Sequence, residues 1–342
     1  MTIPVSVVMP VYNAERFLRE AINSILGQTY TDFEFIIVED VSTDRTAEII
    51  ESYSDARILY IKNKKNIGMP ASLNKGIALA HGEYIARMDA DDVSIPERIE
   101  KQFLFMESHP EVGVTSSNAI IIDGKGNFIS EMYVPQSHIL ILWTFCFSCS
   151  IIHPAVMANR QLFRQAGGYR DLANDKAECF PEDYDLWVRL SKQTQFYNFS
   201  EPLLKYRMHG KNNSATNMQA LLRNSSKICR SYLQSVLGKE IPQTLVDTQW
   251  GVANSPSLRG MSQHIERLYN YFINLPGISP QEKKLIREDA SIHLLQMVKK
   301  YPFDLYSLTT LAHALKINQG AYIYLYVLKK LLYKIRTQSK KY

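Results

Sequence analysis

Tyr84-Ile85-Ala86-Arg87-Met88-Asp89-Ala90-Asp91-Asp92 begins as a short apolar run and ends in three carboxylates. An apolar run of this length reads as a buried strand. Side chains alternate along a strand, so an extended backbone would point Asp89 and Asp91 the same way. Converging carboxylates repel unless positive charge lies between them, and hard oxygen donors suit Mg2+ or Mn2+. Such an ion would also hold a diphosphate. The plainer alternative is an acidic loop leading into a helix from Pro96, with Asp92 or Ser94 as the helix cap.

Upstream, the same strand signal recurs at Val5–Met9 (ended by Pro10), Phe33–Val38 and Ile58–Ile61. Helical spacing follows each: Leu18–Leu26, a segment capped by Ser42-Thr43-Asp44 and running to Ser52, and Ala71–Ala80; Pro96–Ser108 follows the acidic stretch. Four strand–helix alternations predict an α/β fold with a doubly wound, mostly parallel, Rossmann-like sheet. Ligands in such sheets bind at the carboxyl ends of the strands. Those ends carry Pro10-Val11-Tyr12-Asn13, Glu39-Asp40 and Asp89-Ala90-Asp91-Asp92. No GxGxxG and no P-loop lysine occurs there, which argues against a dinucleotide dehydrogenase or an NTPase.

Downstream, Val112–Ile122 and Phe128–Tyr133 flank the turn signal Asp123-Gly-Lys-Gly126 and read as a hairpin. Ile139–Phe147 reads as a helix, Ile151–Met157 as an extended run, and Arg160–Ala166 as a short helix closed by Gly167-Gly168. Glu182–Ser191 reads as a helix whose first turn holds Glu182, Asp183 and Asp185; Gln195–Phe199 and Leu203–Tyr206 read as two strands. From about Ser214 helical periodicity with proline and glycine breaks takes over, giving an expected catalytic domain over 1–213 and a helical C-terminal region over 214–342.

The chain has 342 residues and 46% hydrophobic content, enough for a large core. A net charge of +5 is too small to argue for nucleic acid. Four cysteines make no disulfide framework, and Cys146-Phe-Ser-Cys149 lies in an apolar run without a second pair spaced for zinc, so both read as core thiols of a reducing compartment. Pro4 and the polar residues from Asn13 interrupt any signal-peptide core, and Ile139–Ile152 is too short and too polar to span a bilayer. The expectation is a cytoplasmic protein. After Asp304 the chain has no acidic residue but seven lysines and arginines, and Ala321–Arg336 mixes that charge with Ile, Leu, Val and Tyr. That segment either lies on an anionic membrane surface, making the protein peripheral on its inner face, or packs on the domain with a solvated basic face.

Val5–Asn13, Phe33–Thr46, Asn66-Ile-Gly68, Gly82–Asp92 and Pro181–Leu190, in that order, resemble the family 2 glycosyltransferases of GT-A fold. The similarity covers roughly Ile3 to His209. It departs at Glu39-Asp40-Val41-Ser42, where the family usually has Asp-Asp-Gly-Ser; valine resists the positive φ that glycine allows, so a locally different loop is expected. The resemblance implies a nucleotide-diphosphate sugar donor (a UDP-sugar favoured), a saccharide or lipid-linked acceptor, Mn2+ or Mg2+, and inversion at the anomeric carbon. It places Pro10, Val11 and Tyr12 on the nucleobase with Asp40 accepting a hydrogen bond from it. It places Asn66, Arg87 and Asp89 on the donor, Asp89 touching the ribose or a metal-bound water, and Asp91 on the metal. Arg207 and His209, in Tyr206–His209, would meet the diphosphate or metal. Asp183, with Glu182 as runner-up, would be the base.

The chemistry suits these residue types. Charge builds on the diphosphate as the glycosidic bond breaks, and a held cation stabilises it. A carboxylate across the sugar takes the proton of the attacking hydroxyl. Plainer roles exist for each: Asp40 as a helix cap, Asp183 and Glu182 as partners of their helix dipole, His209 as a loop residue, and His153 beside Pro154 as core. Two other readings stay open on the residues: a sugar nucleotidyltransferase, which would need a Gly-rich basic loop that Pro10–Ala14 lacks, and a non-catalytic nucleotide-sugar-binding module.

Overall fold

Unbroken burial over Val5–Val11 (β1) and Phe33–Glu39 (β2) identifies strands covered on both faces, as parallel sheets require. They pair in parallel with each other, β2 with Ile58–Lys62 (β3), and β1 with Tyr84–Arg87 (β4). Helices Leu18–Leu26 (α1), Thr46–Glu51 (α2) and Met69–Leu79 (α3) make the crossovers. Leu18, Ala21, Ile22 and Ile25 line one face of α1 at helical spacing and join the core with β1 and β2. The computed structural model describes residues 3–171, 180–210, 218–252 and 258–300.

β1 does not stop before Pro10, as the sequence suggests, but continues through it. Met88 N donates to Val8 O, so Val8 faces β4, and Pro10, two residues on, faces the same way. β4 has ended at Arg87, so the missing proline N–H leaves no ladder bond unmade.

The second half of the sheet is mixed. Among the described residues the nine strands run β3-β2-β1-β4-β8-β6-β9-β5, with β7 paired to β6. Here β5 is Val93–Ser94, β6 Val112–Ile122, β7 Phe128–Met132, β8 Met157–Asn159 and β9 Gln195–Arg207. β8 is antiparallel to β4 and to β6, while β9 is parallel to β6. Two expectations change. The run Ile151–Met157 is not extended: a 3-10 turn at His153–Ala155 precedes β8. The two expected strands around Ser200 are one, β9, whose register on β6 slips near Ser117–Ala119; a bulge there absorbs the polar break.

Arg98–Ser108 (α4), His138–Phe145 (α5), Arg160–Ala166 (α6) and Glu182–Leu190 (α7) cover the sheet. The chain divides into two compact units, Met1–Cys229 and Arg230–Tyr342. Met218–Leu237 (α8) crosses the division; Gln243–Gln249 (α9), Leu258–Phe272 (α10) and Pro280–Lys300 (α11) belong to the second unit. Its buried residues include Met261, Ile265, Leu268, Ile286, Ala290 and Leu294, spaced three or four apart along α10 and α11. The basic stretch Ala321–Arg336 and the expected boundary at Ser214 lie outside the described residues. Among those described, no helix is long and apolar enough to cross a membrane.

Candidate active site

Parallel pairing brings the carboxyl ends of β2, β1 and β4 to one sheet edge, where the strand order switches direction. β4 ends at Arg87, and the chain then leaves the sheet. Asp89, Asp91 and Asp92 place carboxylate oxygens within 4.8 Å of one another. Convergence therefore comes from a turn, not from strand alternation, and it includes Asp92. Asp92 caps nothing: α4 has Glu97 at its N-cap with no side-chain bond, while Asp92 Oδ1 accepts from Arg207 N at 2.8 Å. Asp92 Oδ2 is buried without a partner.

Crowding in this cluster raises the proton affinity of Asp89 and Asp92. Burial first, then the charges of Asp89 and Asp91, push Asp92 well above the carboxylate range. Burial also raises Asp89, against the pull of Arg87, which is ion-paired to it. His209 Nε2 lies 2.9 Å from Asp91 Oδ2, and its ring sits on Phe17 at 5.0 Å. Arg87 and His209 are thus the basic side chains that the chain itself places against Asp89 and Asp91. A hard donor set with one orphaned buried oxygen fits a divalent cation.

The base candidates lie at the start of α7. Asp183 carries its charge within electrostatic reach of Asp89 and Arg87, so the two acidic groups share one region. Burial raises the Asp183 carboxyl. Burial and the Asp183 charge push Glu182 up to about 8. Behind them Tyr169 OH and His153 Nε2 are 2.8 Å apart, and burial with the Arg87 charge holds His153 well below its usual value. His153 is thus a neutral core residue, as its sequence context suggests.

Other expected residues take different places. Val11 is 2% exposed within the core, and Pro10 is buried beside it, so of that trio only Tyr12, 52% exposed, offers a free face. Asp40 caps no helix, and its carboxylate already accepts three hydrogen bonds. Oδ1 accepts from Asn63 Nδ2 (2.8 Å) and Ile67 N (2.9 Å), and Oδ2 from Gly68 N (2.8 Å). Asn66 Nδ2 binds the Asp40 carbonyl. Both residues build the loop before α3. Arg207 is 2% exposed, with its guanidinium on Asp91 O (2.7 Å), Asp123 O (3.3 Å) and Glu20 Oε2 (2.5 Å), above the Phe17 ring. Its planar fork joins β9, α1, the hairpin turn and the acidic loop, and so ties these segments together.

Val41 reverses the expectation for its loop. It adopts φ 62, the left-handed conformation that glycine takes freely. For a β-branched residue this is strain held by its surroundings. Glu39 is one such surrounding: Oε1 accepts from Ser42 N, while Oε2 is buried without a partner. Glu39 and Asp92 are the site residues that sequence reasoning passed over. Glu39 had a visible signal, as the last residue of a buried strand; the role of Asp92 depends on a turn geometry that pattern does not give.

Comparison with known proteins agrees with this geometry. The profile described as Glycosyl transferase family 2 matches residues 6–165. An uncharacterised glycosyltransferase of Methanocaldococcus jannaschii is 38% identical over 215 residues, 61% of this chain and 72% of that protein. The putative glycosyltransferase EpsE of Bacillus subtilis is 38% identical over 210 residues, 59% and 72% of the two chains. The O-antigen biosynthesis glycosyltransferase WbnJ of Escherichia coli is 32% identical over 212 residues, 60% and 80%. The crystal structure of S. aureus TarS 1-349 in complex with UDP-GlcNAc superposes with a TM-score of 0.52 at 17% identity, over 91% of this chain and 83% of that one, a likeness of fold. A mixed, largely parallel sheet of GT-A type, an acidic strand end and these relatives agree: the chain belongs to glycosyl transferase family 2 and is a glycosyltransferase.

Proposed function

We propose that this protein is an inverting, metal-dependent glycosyltransferase that moves a sugar from a nucleotide-diphosphate donor to a hydroxyl of a saccharide or lipid-linked acceptor. The observation that carries the reading is the convergence of Asp89, Asp91 and Asp92 within 4.8 Å, with Asp183 in electrostatic reach of Asp89. Asp91 and Asp92, with Asp89, would hold Mn2+ or Mg2+, which when bound supplies Lewis-acid stabilisation of the departing diphosphate. Arg87 fixes Asp89, and His209 stands against Asp91, so each carboxylate is held in place before a donor arrives. Tyr12 offers an aromatic face to the nucleobase.

Asp183 is the better base of its pair. A base must be ionised at working pH, and Glu182, pushed up to about 8, is mostly protonated at neutrality. Asp183 then takes the proton from the acceptor hydroxyl as that oxygen attacks the anomeric carbon. One base and one displacement give inversion. Ligands of open α/β sheets bind at this edge, and Asp183 reaches the region of Asp89 from a separate helix.

The test is a thermal-shift panel of nucleotide diphosphates and nucleotide sugars with Mn2+ or Mg2+, followed by donor turnover. Metal-dependent stabilisation by one nucleotide sugar, lost in Asp91→Ala, is the expected result. Full turnover in both Asp91→Ala and Asp183→Asn would overturn the assignment.

A further inference from the structure

Arg98 opens α4 and has no exposed surface. Its four hydrogen-bond acceptors are all uncharged. Nε meets Gln102 Oε1 at 3.0 Å and Nη1 meets Met88 Sδ at 3.6 Å. Nη2 meets Arg87 O at 2.7 Å and Val156 O at 3.0 Å. Two of these acceptors lie where the acidic loop leaves the sheet. Arg87 is the last residue of β4, and its own N–H donates to the same Val156 O at 2.9 Å. On the other edge Met88 N is held by Val8 O at 3.1 Å. Arg98 thus reaches back eleven residues to the carbonyl from which Asp89, Asp91 and Asp92 depart.

A neutral side chain with two N–H groups would satisfy two carbonyls. Burying a charge for that purpose costs free energy. Burial pulls the Arg98 guanidinium down to about 9; the Arg87 charge pushes the same way, and Asp92 opposes both. Three acid groups within 4.8 Å repel; Arg207 and the pairing of β5 with β9 hold the far side of their loop, and Arg98 holds the side at which it leaves β4.

We infer that Arg98 is a positioning residue of the cation site: from the helix that follows the acidic loop, its buried guanidinium grips the carbonyl at which that loop begins and keeps Asp89, Asp91 and Asp92 close enough to share a divalent ion. The inference rests on the metal reading above. Arg98 touches neither ion nor donor and acts through the joint at Arg87–Met88.

Titration calorimetry of the full chain with Mn2+ alone tests it without requiring a substrate. Outer-shell substitutions commonly weaken metal binding about 10–100-fold, so Arg98→Met and Arg98→Gln should raise the Mn2+ Kd at least about tenfold, and Arg98→Lys, which keeps the charge but not the fork, by about threefold. Gln102→Met is the control: it removes the acceptor of Arg98 Nε and the bonds to Ala155 O and Thr115 Oγ1, and lowers Tm, yet leaves the Nη2 grip on Arg87 O and Val156 O. Its Mn2+ Kd should stay within about twofold of the parent. Wild-type affinity in Arg98→Met overturns the inference, as does an equal loss in Gln102→Met at equal Tm. Should Arg98→Met fail to fold, Arg98→Gln and Arg98→Lys decide on the same criterion. A parent chain that binds neither Mn2+ nor Mg2+ removes the metal reading and this inference together; a parent that binds, with variants that bind equally, removes the inference alone.

Discussion

The two ends of β2 carry a glutamate each, in opposite conditions. At the start, Glu34 Oε1 accepts from Ser6 Oγ at 2.5 Å and His81 N at 2.6 Å, and Oε2 lies 3.2 Å from His81 Nδ1. Ser6 Oγ in turn accepts from Gly82 N. Burial would raise Glu34, but the hydrogen bonds from Ser6 and His81 outweigh it and hold the carboxyl below its ordinary range. At the other end, Glu39 keeps one oxygen unpartnered, Val41 sits at φ 62, and the neighbouring strand leads to three crowded acids. One edge is satisfied and the other is not, although the same strands form both. Polar satisfaction buried in a fold stabilises it; an unsatisfied edge is where free energy has been left for a ligand.

That contrast can be broken by mutation. Asp91→Ala should lower donor turnover by about 1000-fold, with Tm unchanged or higher because repulsion is relieved; a large fall in Tm would instead make the trio structural. Asp183→Asn should cost about 100-fold or more by loss of the base, with KM for the donor little changed. On the satisfied edge, Glu34→Gln should leave turnover unchanged but destabilise by about 1–3 kcal/mol in urea melts. Its sign with pH is fixed: a lowered folded-state value means that the contribution is present above the ordinary 4.5 and fades as pH falls through the folded value, so parent and variant should converge in acid.

Glu182 has the opposite sign. Its folded-state value is raised to about 8, so the stability it contributes is full below 4.5 and is lost as pH rises through about 8. Glu182→Gln should therefore gain on the parent in Tm between pH 5 and pH 8, by roughly 2–4 °C per kcal/mol for a unit of this size. The smallest effect is expected at Val41→Gly. Relief of left-handed strain, about 1–2 kcal/mol, offsets the entropy that glycine adds to the unfolded chain, leaving Tm level or slightly raised. A clear fall would show that the loop tolerates valine without strain.

The regular half of the sheet was legible in the sequence because local pattern and global role agree there. β1 to β4 are continuous apolar runs separated by helices with one apolar face, and parallel pairing follows from their alternation. The mixed half was less legible: β8 has three residues, too short to signal, and β9 hides a polar break inside one strand. At the site, the acidic residues announced themselves by type. Their partners did not. That Arg207 clamps and Asp40 builds a loop depends on contacts with residues 116 and 27 positions away, which no periodicity encodes.

Pro10 has one more consequence. Beyond Val8 and Arg87 the neighbours β1 and β4 part, and the ring at Pro10 removes the donor that would let backbone zip across the gap. The crevice at the switch in strand order is therefore kept from healing by a covalent feature of the main chain, before any side chain lines it. A residue with an N–H at that position would offer a foothold to a passing carbonyl, and the opening would begin to close on itself.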